Sequence, residues 1–549
     1  MPLLRPLLMA LAIPALAAAP LASPAQGRSS PITTNEIDGD LQFLSSDLLE
    51  GRAPATRGGA LATAYIASQL RSAGVAPGVN GSYVQPVPID VVQTNSSTVK
   101  VTATGKATTA LRYPDDVVVW AGSAAPSTAA HAEIVFAGYG VTAPEYKWDD
   151  FKDVDVKGKI LLVLVNDPPA PPQEPSLFGG KAMTYYGRWT YKFEEAERRG
   201  AVGALIVHTT AEASYPWHTV VGSWATPQRS LPRDPSLPAP LGFRGWITDS
   251  AATALLAQAG LDLHALRQQA ASRDFHPVPT GITLDVAFTS GVQRLQSENI
   301  VGLVRGRDAK LRDQYVALSA HWDHLGIGPA VDGDSIYNGS VDNASGVSTL
   351  LAVARAAVKA PPRRSLVFVF VTAEEAGLLG SSWFAQHPTM PDTAIVADLN
   401  LDVVTVLGTV RDLDVLGADK SSLGPMLARF VKPQGMRLAP DQHPEAGHFY
   451  RSDHFSFAKA GIPAVSIGAG TDYVSRPPGW GAAQEDDYNA HRYHQPSDQY
   501  RPGFDLSGAA QIGTIVLGFA TELANGAVLP TWNADAEFKS ARGAAPVTP

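Results

Sequence analysis

The chain has 549 residues, 45% of them apolar and 17% charged, with a net charge of −9 at pH 7. That length exceeds one ordinary hydrophobic core and predicts two or more domains, while the acidic balance, without a Lys/Arg run, argues against a nucleic-acid partner. There is no cysteine, which excludes disulfides, thiolate catalysis and lipid attachment through sulfur, and leaves His, Asp and Glu as metal donors.

The first stretch, MPLLRPLLMALAIPALAAAPLASPAQG, has a positive start at Arg5, an apolar run from Leu7 and small residues at Ala17–Ala19. This is the layout of a secretory signal, taken as residues 1–26, and it predicts export to the periplasm or the medium. Pro14 and Pro20 interrupt the run and make it short for a membrane anchor. No stable membrane insertion is expected after cleavage.

Residues 33–75 read as two helices around SSDLLEGRAPATRGG, the second ending at Gly74. STVKVTATG then alternates as a strand should. Together these make residues 30–112 the opening part of a main domain. From Tyr113 the texture changes. AEIVFAGYGV and KGKILLVLV are short strands, NDPPAPPQEPSLFGG is a Pro-rich loop, and YYGRWTYKFEEAERRGAVGALIVH reads as helix, glycine stop and buried strand. Residues 113–280 are therefore expected to form an inserted β-rich unit.

Residues 281–530 alternate strand and helix. NIVGLVRG, QYVALSAHWDH, SLVFVFVTAEE, AIVADLNLDVV, DLDVLG and PAVSIGAG are the strands, and ASGVSTLLAVARAAV is one of the helices between them. Uniformly apolar strands alternating with helices predict an α/β fold: a mixed, mainly parallel sheet covered by helices on both faces. Residues 531–549 read as a C-terminal tail.

In such sheets ligands bind beyond the carboxyl ends of the strands, and here those ends are polar. One strand runs into His321, Asp323 and His324, the next into Glu374 and Glu375, the next into Asp402. Asp342 precedes a helix, and Asp453, His454, His491, His494 and Asp498 follow near the C-terminus. Each alone is more often a turn or capping residue. Together, histidines and several carboxylates match divalent-metal ligation by N and O donors, and so many carboxylates suggest two ions.

HWDHLG, DNASG, TAEEAGLLGS, NLD and YHQPSD occur in the order and approximate spacing of the co-catalytic di-zinc exopeptidases. The chain resembles that superfamily, which includes bacterial leucyl-type aminopeptidases and glutamate carboxypeptidase. SDHFSFAKAGIPAVSI also resembles its pattern before the last sheet strand, SSDLLEGRAPATRGG its N-terminal helical region, and the 113–280 unit its inserted protease-associated domain.

The resemblance implies two Zn2+ ions per chain. It implies His321 and Asp402 on one ion, Glu375 and His494 on the other, and Asp342 between them. Glu374 would be the general base toward a metal-bound water, and Asp323 would hydrogen-bond the His321 imidazole. It also leads us to expect a cis peptide bond between Asp342 and Asn343. His491 is the rival of His494. His324 and His208 read as structural.

The function this implies is a secreted or periplasmic zinc aminopeptidase acting on short peptides. The nearer alternative is a di-zinc carboxypeptidase or dipeptidase, which would need a cation facing the substrate carboxylate. Arg188, Arg451 and Lys192 are candidates for it, with Asp453 and His454 as further pocket candidates. A receptor-like binding protein without catalysis is the remote alternative, and the absence of G-x-S-x-G argues against a serine hydrolase. The sequence carries no signal for an oligomeric state.

Overall fold

The computed structural model describes residues 32–534, 536–539 and 541; the expected signal segment lies outside them. The first helix, α1 (Thr34–Leu44), starts where Thr33 and Glu36 cap each other's backbone N–H groups. The second, α2 (Arg57–Ser72), starts on the Thr56 side chain. Both lay an apolar stripe, Ile37 and Leu41 in α1 and Ile66 and Leu70 in α2, on one face of a large sheet.

That sheet contains β1 (Val84–Thr94), β2 (Val278–Val304), β3 (Tyr315–His321), β4 (Ser365–Val371), β5 (Ile395–Asn400), β6 (Asp412–Leu416) and β7 (Ala464–Ala469). Their spatial order is β1-β2-β4-β3-β5-β7-β6. The central four run parallel, and β1 to β2, β2 to β4 and β7 to β6 are antiparallel. The sheet is thus mixed with a parallel centre.

β4 shows why its sequence looks featureless. Leu366, Phe368 and Phe370 enter the core shared with α1, α2, α3 (Ser345–Lys359) and α4 (Ser507–Asn525). Val367, Val369 and Val371 enter the core on the opposite face, with Phe384 and Phe457. Each such side chain contributes ~1.5–3 kcal/mol on burial, so the strand is held from both sides.

The chain leaves β3 through α3 to reach β4, then crosses back to β5 on the other side of β3. This reversal opens a crevice at the carboxyl end of β3. His321 stands level with Val371 of β4, and Ser319 with Asn400 of β5. The three polar strand ends therefore meet at one edge.

The second sheet differs from the expected 113–280 unit in its limits. Lys100–Thr104 and Thr108–Leu111, read as part of the main domain, pair with each other, and Lys100–Thr104 also pairs with Thr283–Ala287 of β2. Ser127–Phe136, Ile160–Leu164, Gly203–His208, Phe243–Thr248 and Val117–Ala121 complete this sheet. β2 belongs to both sheets. Its residues up to Thr289 pair with Ser127–Phe136, and from Ser290 they pair with β1. The crossing therefore lies at about 95 and 289 rather than at 113 and 280. A short strand, Gln228–Ser230, returns to extend the edge of the main sheet beside β1.

The tail is partly docked. Trp532 Nε1 donates to the Gly461 carbonyl at 2.9 Å, and Phe538 packs between Tyr185 and Phe455. Among the described residues no helix is long and apolar enough to cross a membrane.

Candidate metal centre

The structure brings His321, Asp342, Glu375, Asp402 and His494 together at the crevice. His321 Nε2 lies 3.2 Å from Asp402 Oδ1 and 3.3 Å from Asp342 Oδ1. His494 Nε2 lies 3.3 Å from Asp342 Oδ2 and 3.0 Å from Glu375 Oε2. The two oxygens of Asp342 thus face two different imidazoles. His491 points away: its side chain is 72% exposed and its Nδ1 faces Asp487.

Local structure fixes these directions. Asp342 sits in the turn Ser340–Ala344 ahead of α3, and its peptide bond to Asn343 is cis, as the family resemblance led us to expect. The Asp498 carboxylate accepts the backbone N–H groups of Val341 and Asp342 at 3.0–3.2 Å and the Tyr488 hydroxyl at 3.2 Å. At His321, Nδ1 faces the Asp323 carbonyl oxygen at 3.2 Å. A proton donated there leaves Nε2 with a free lone pair toward Asp342 and Asp402.

Asp323 therefore supports His321 through its backbone. Its carboxylate stands 3.9 Å from Nδ1, beyond hydrogen-bond reach, and its Oδ1 accepts the backbone N–H of Glu374 at 3.1 Å. The contact between Asp323 and the His321 imidazole is thus made by the carbonyl, while the strand end turns the side chain toward the neighbouring loop. Burial, with Glu375 adding and His321 opposing, pushes the Asp323 carboxyl up to about 6.

The two adjacent glutamates are pushed apart. Burial raises the Glu374 carboxyl well above the carboxylate range; His321 opposes this, while Asp402, Glu375 and Asp453 add to it. In Glu375, burial and Asp342 push upward, but His324 and His494 win and draw it down to about 2. His494 is raised to about 10: burial opposes the rise, and Asp342 and Glu375 outweigh it. The cage favours positive charge at this point, and its buried N and O donors fit hard or borderline divalent ions.

Three contributors escaped the sequence reading. Arg52, 1% exposed, donates to the carbonyls of Trp322, Leu44 and Gly339 at 2.8–2.9 Å and to that of Asn338. It ties the His321–His324 segment to the Asp342 turn. Ser452 Oγ donates to Asp402 Oδ2 at 2.6 Å and accepts from Asn400 Nδ2 at 2.8 Å. His324, read as structural, has Nδ1 2.6 Å from Glu375 Oε1. Arg52 carried no signal of its own; Ser452 and His324 adjoin residues already singled out.

Asp453 and His454 do not line an open pocket. Both are fully buried, and the His454 ring packs 5.0 Å from that of Phe449; helix His454–Lys459 turns them into the core. Burial lowers the His454 imidazole to about 3. Lys192 is also withdrawn, donating to the carbonyls of Tyr139 and Asn166 inside the second domain. His208 meets the Tyr215 carbonyl oxygen at 2.9 Å.

Arg188 and Arg451 each follow a short helical turn, Tyr185–Gly187 in the second domain and His448–Tyr450 in the main one. The turns meet through Tyr185 and Tyr450, whose rings lie 5.8 Å apart. Burial first, then Arg451, lowers the Arg188 guanidinium to about 10. Neither arginine has an ion-pair partner among the described residues, and Arg188 Nε is buried without a hydrogen bond.

Residues 299–520 match the model of Peptidase family M28. All five motifs behind the resemblance to co-catalytic di-zinc exopeptidases lie within that span, and the match supports it. Probable leucine aminopeptidase 2 of Aspergillus fumigatus is 26% identical over 202 residues, 35% of this chain and 37% of that protein. Aminopeptidase YwaD of Bacillus subtilis is 33% identical over 109 residues, 20% and 22% of the respective chains. The chain thus spans well under half the length of these curated relatives. The solved aminopeptidase from Aneurinibacillus sp. strain AM-1 superposes with a TM-score of 0.48 at 20% identity, covering 90% of this chain and 94% of that one.

Proposed function

We propose that this chain is an exported, zinc-dependent aminopeptidase that removes N-terminal residues from short peptides. The observation that carries the reading is the Asp342 carboxylate, one oxygen toward each of two imidazoles at 3.3 Å, with Asp402 and Glu375 on either side. The family match and the aminopeptidase names of the curated relatives support it. Export rests on the N-terminal sequence.

His321 and Asp402 would hold one ion, Glu375 and His494 the other, and Asp342 both. Bound there, the ions would polarise the scissile carbonyl and make a water acidic. The rest falls to the protein. Glu374 takes the proton of the attacking water onto its carboxylate. As the C–N bond breaks, it passes that proton to the departing amine nitrogen, and the water oxygen stays on the carbonyl carbon. Asp323, by accepting the Glu374 N–H, sets where that carboxylate points. The second domain, which we read as protease-associated, walls the cleft and limits it to short substrates.

Hydrolysis of aminoacyl-nitroanilides before and after chelation tests this. Activity should vanish with chelator and return with added zinc. Turnover indifferent to chelator would refute it. A second reading, a dipeptidase or carboxypeptidase, is favoured by the unpaired Arg188 and Arg451, which suit a free carboxylate. Cleavage of N-blocked peptides in place of aminoacyl-nitroanilides would select it.

A further inference from the structure

Building on the two-metal reading, we propose that His324 is a ligand of the second ion, giving that site four protein donors: His324, Asp342, Glu375 and His494. The other site has three: His321, Asp342 and Asp402.

The argument starts from an imidazole in an unusual position. His324 is 1% exposed, and neither of its ring nitrogens has a hydrogen-bond partner. Its Nδ1 is only 2.6 Å from Glu375 Oε1, which is equally without a bond. At that separation a missing hydrogen bond means misalignment: the ring's N–H direction passes beside the oxygen instead of meeting it. Two buried donors that crowd together yet do not aim at each other are arranged as ligands around a shared cation.

The neighbours agree. Donor atoms of His324, Asp342 and Glu375 all lie within 4.8 Å of one another. His494 Nε2 reaches the same two carboxylates at 3.3 and 3.0 Å. The His324 ring cannot swing away easily. Gly339, at φ +56°, leaves room for it, and a Cβ there would stand 2.5 Å from the imidazole Cγ. The His324 and His494 rings, 5.7 Å apart and inclined at 70°, flank the site.

Four protein donors close a tetrahedral ion, whereas three leave a position for water or substrate. The two ions should therefore differ in tenure. The His321–Asp402 ion should leave first under chelator, and the His324–His494 ion should be held.

The test is reconstitution of the metal-free protein with Co2+, read by visible absorption and by proton NMR. Wild-type protein should lose its ions to a chelator in two separate steps. The fully loaded form should show three hyperfine-shifted, solvent-exchangeable imidazole N–H signals, one each for His321, His324 and His494. His324→Gln, with folding checked by circular dichroism, should bind the retained ion at least ~10-fold more weakly, merge the two steps and show two such signals. Two signals in the wild type, or an unchanged Co2+ spectrum in His324→Gln, would overturn the ligand role even if both ions bind. Wild-type protein that takes up no Co2+ would overturn the two-metal reading and this assignment with it.

Discussion

Replacing Glu374 by Gln exchanges one oxygen for an NH2 group and removes the only proton carrier proposed for the reaction. Its backbone N–H bond to Asp323 survives, since that bond does not involve the side chain. No ligand contact is lost either: the short carboxylate contacts to His324 and His494, at 2.6 and 3.0 Å, belong to Glu375. Metal content should therefore stay at the wild-type level while kcat falls by at least ~10²–10⁴-fold. That is ~2.7–5.5 kcal/mol of barrier at about 1.36 kcal/mol per decade. KM should change little. Glu375→Gln removes an anionic donor between two imidazoles and should lose or weaken one ion, with activity partly restored by excess zinc. The assay is zinc per chain, by atomic emission, beside kcat for both variants. Metal lost in Glu374→Gln and kept in Glu375→Gln would reverse the roles. Full metal and full activity in both would move the site elsewhere.

Other perturbations reach further out. Arg52→Met strands four carbonyls that now share one buried guanidinium and should cost at least ~3 kcal/mol in denaturant unfolding, with loss of metal affinity. Ser452→Ala removes the 2.6 Å bond to Asp402 and should weaken the more labile ion ~10–100-fold in chelator competition, at nearly unchanged thermal stability. Arg188→Ala and Arg451→Ala should raise KM for dipeptides, which carry a free carboxylate, and leave KM for aminoacyl-nitroanilides alone; equal effects on both substrate types would remove the arginines from carboxylate binding.

Much of the fold was legible because burial leaves a simple trace. β4 read as a doubly covered strand from its apolar run alone, although which face each side chain takes is invisible in such a run. Metal-type donors were legible because several His, Asp and Glu residues stood at neighbouring strand ends, where any one alone would serve a turn or a cap. The domain boundary was not. Alternation in STVKVTATG predicts a strand but says nothing about its partner, and that partner, Thr283–Ala287, lies far along the chain. Arg52 carried no signal of its own, because its burial depends on carbonyls supplied by three separate segments. Asp453 and His454 looked accessible because a short polar motif does not reveal that its helix turns inward onto Phe449. His324 was set aside because the five-ligand pattern of the resemblance had no place for it.

The strand that serves both sheets has a mechanical meaning. Domains that open and close need a few residues free to absorb a change of backbone angle. Between these two, β2 passes from one ladder to the other at Thr289–Ser290 with no loop between. The other side is pinned as well. Lys459 pairs with Glu194 at 2.6 Å, and Glu537 accepts both the Tyr185 backbone N–H and the Tyr450 hydroxyl. A beam on one flank and a clasp on the other both oppose rotation of one sheet against the other. If the second sheet walls the crevice, as proposed above, its mouth is a fixed gauge that would sort substrates by whether they fit rather than by whether they can trigger closure. Its width is set when the chain folds, and cutting out the second domain would take half of β2 with it.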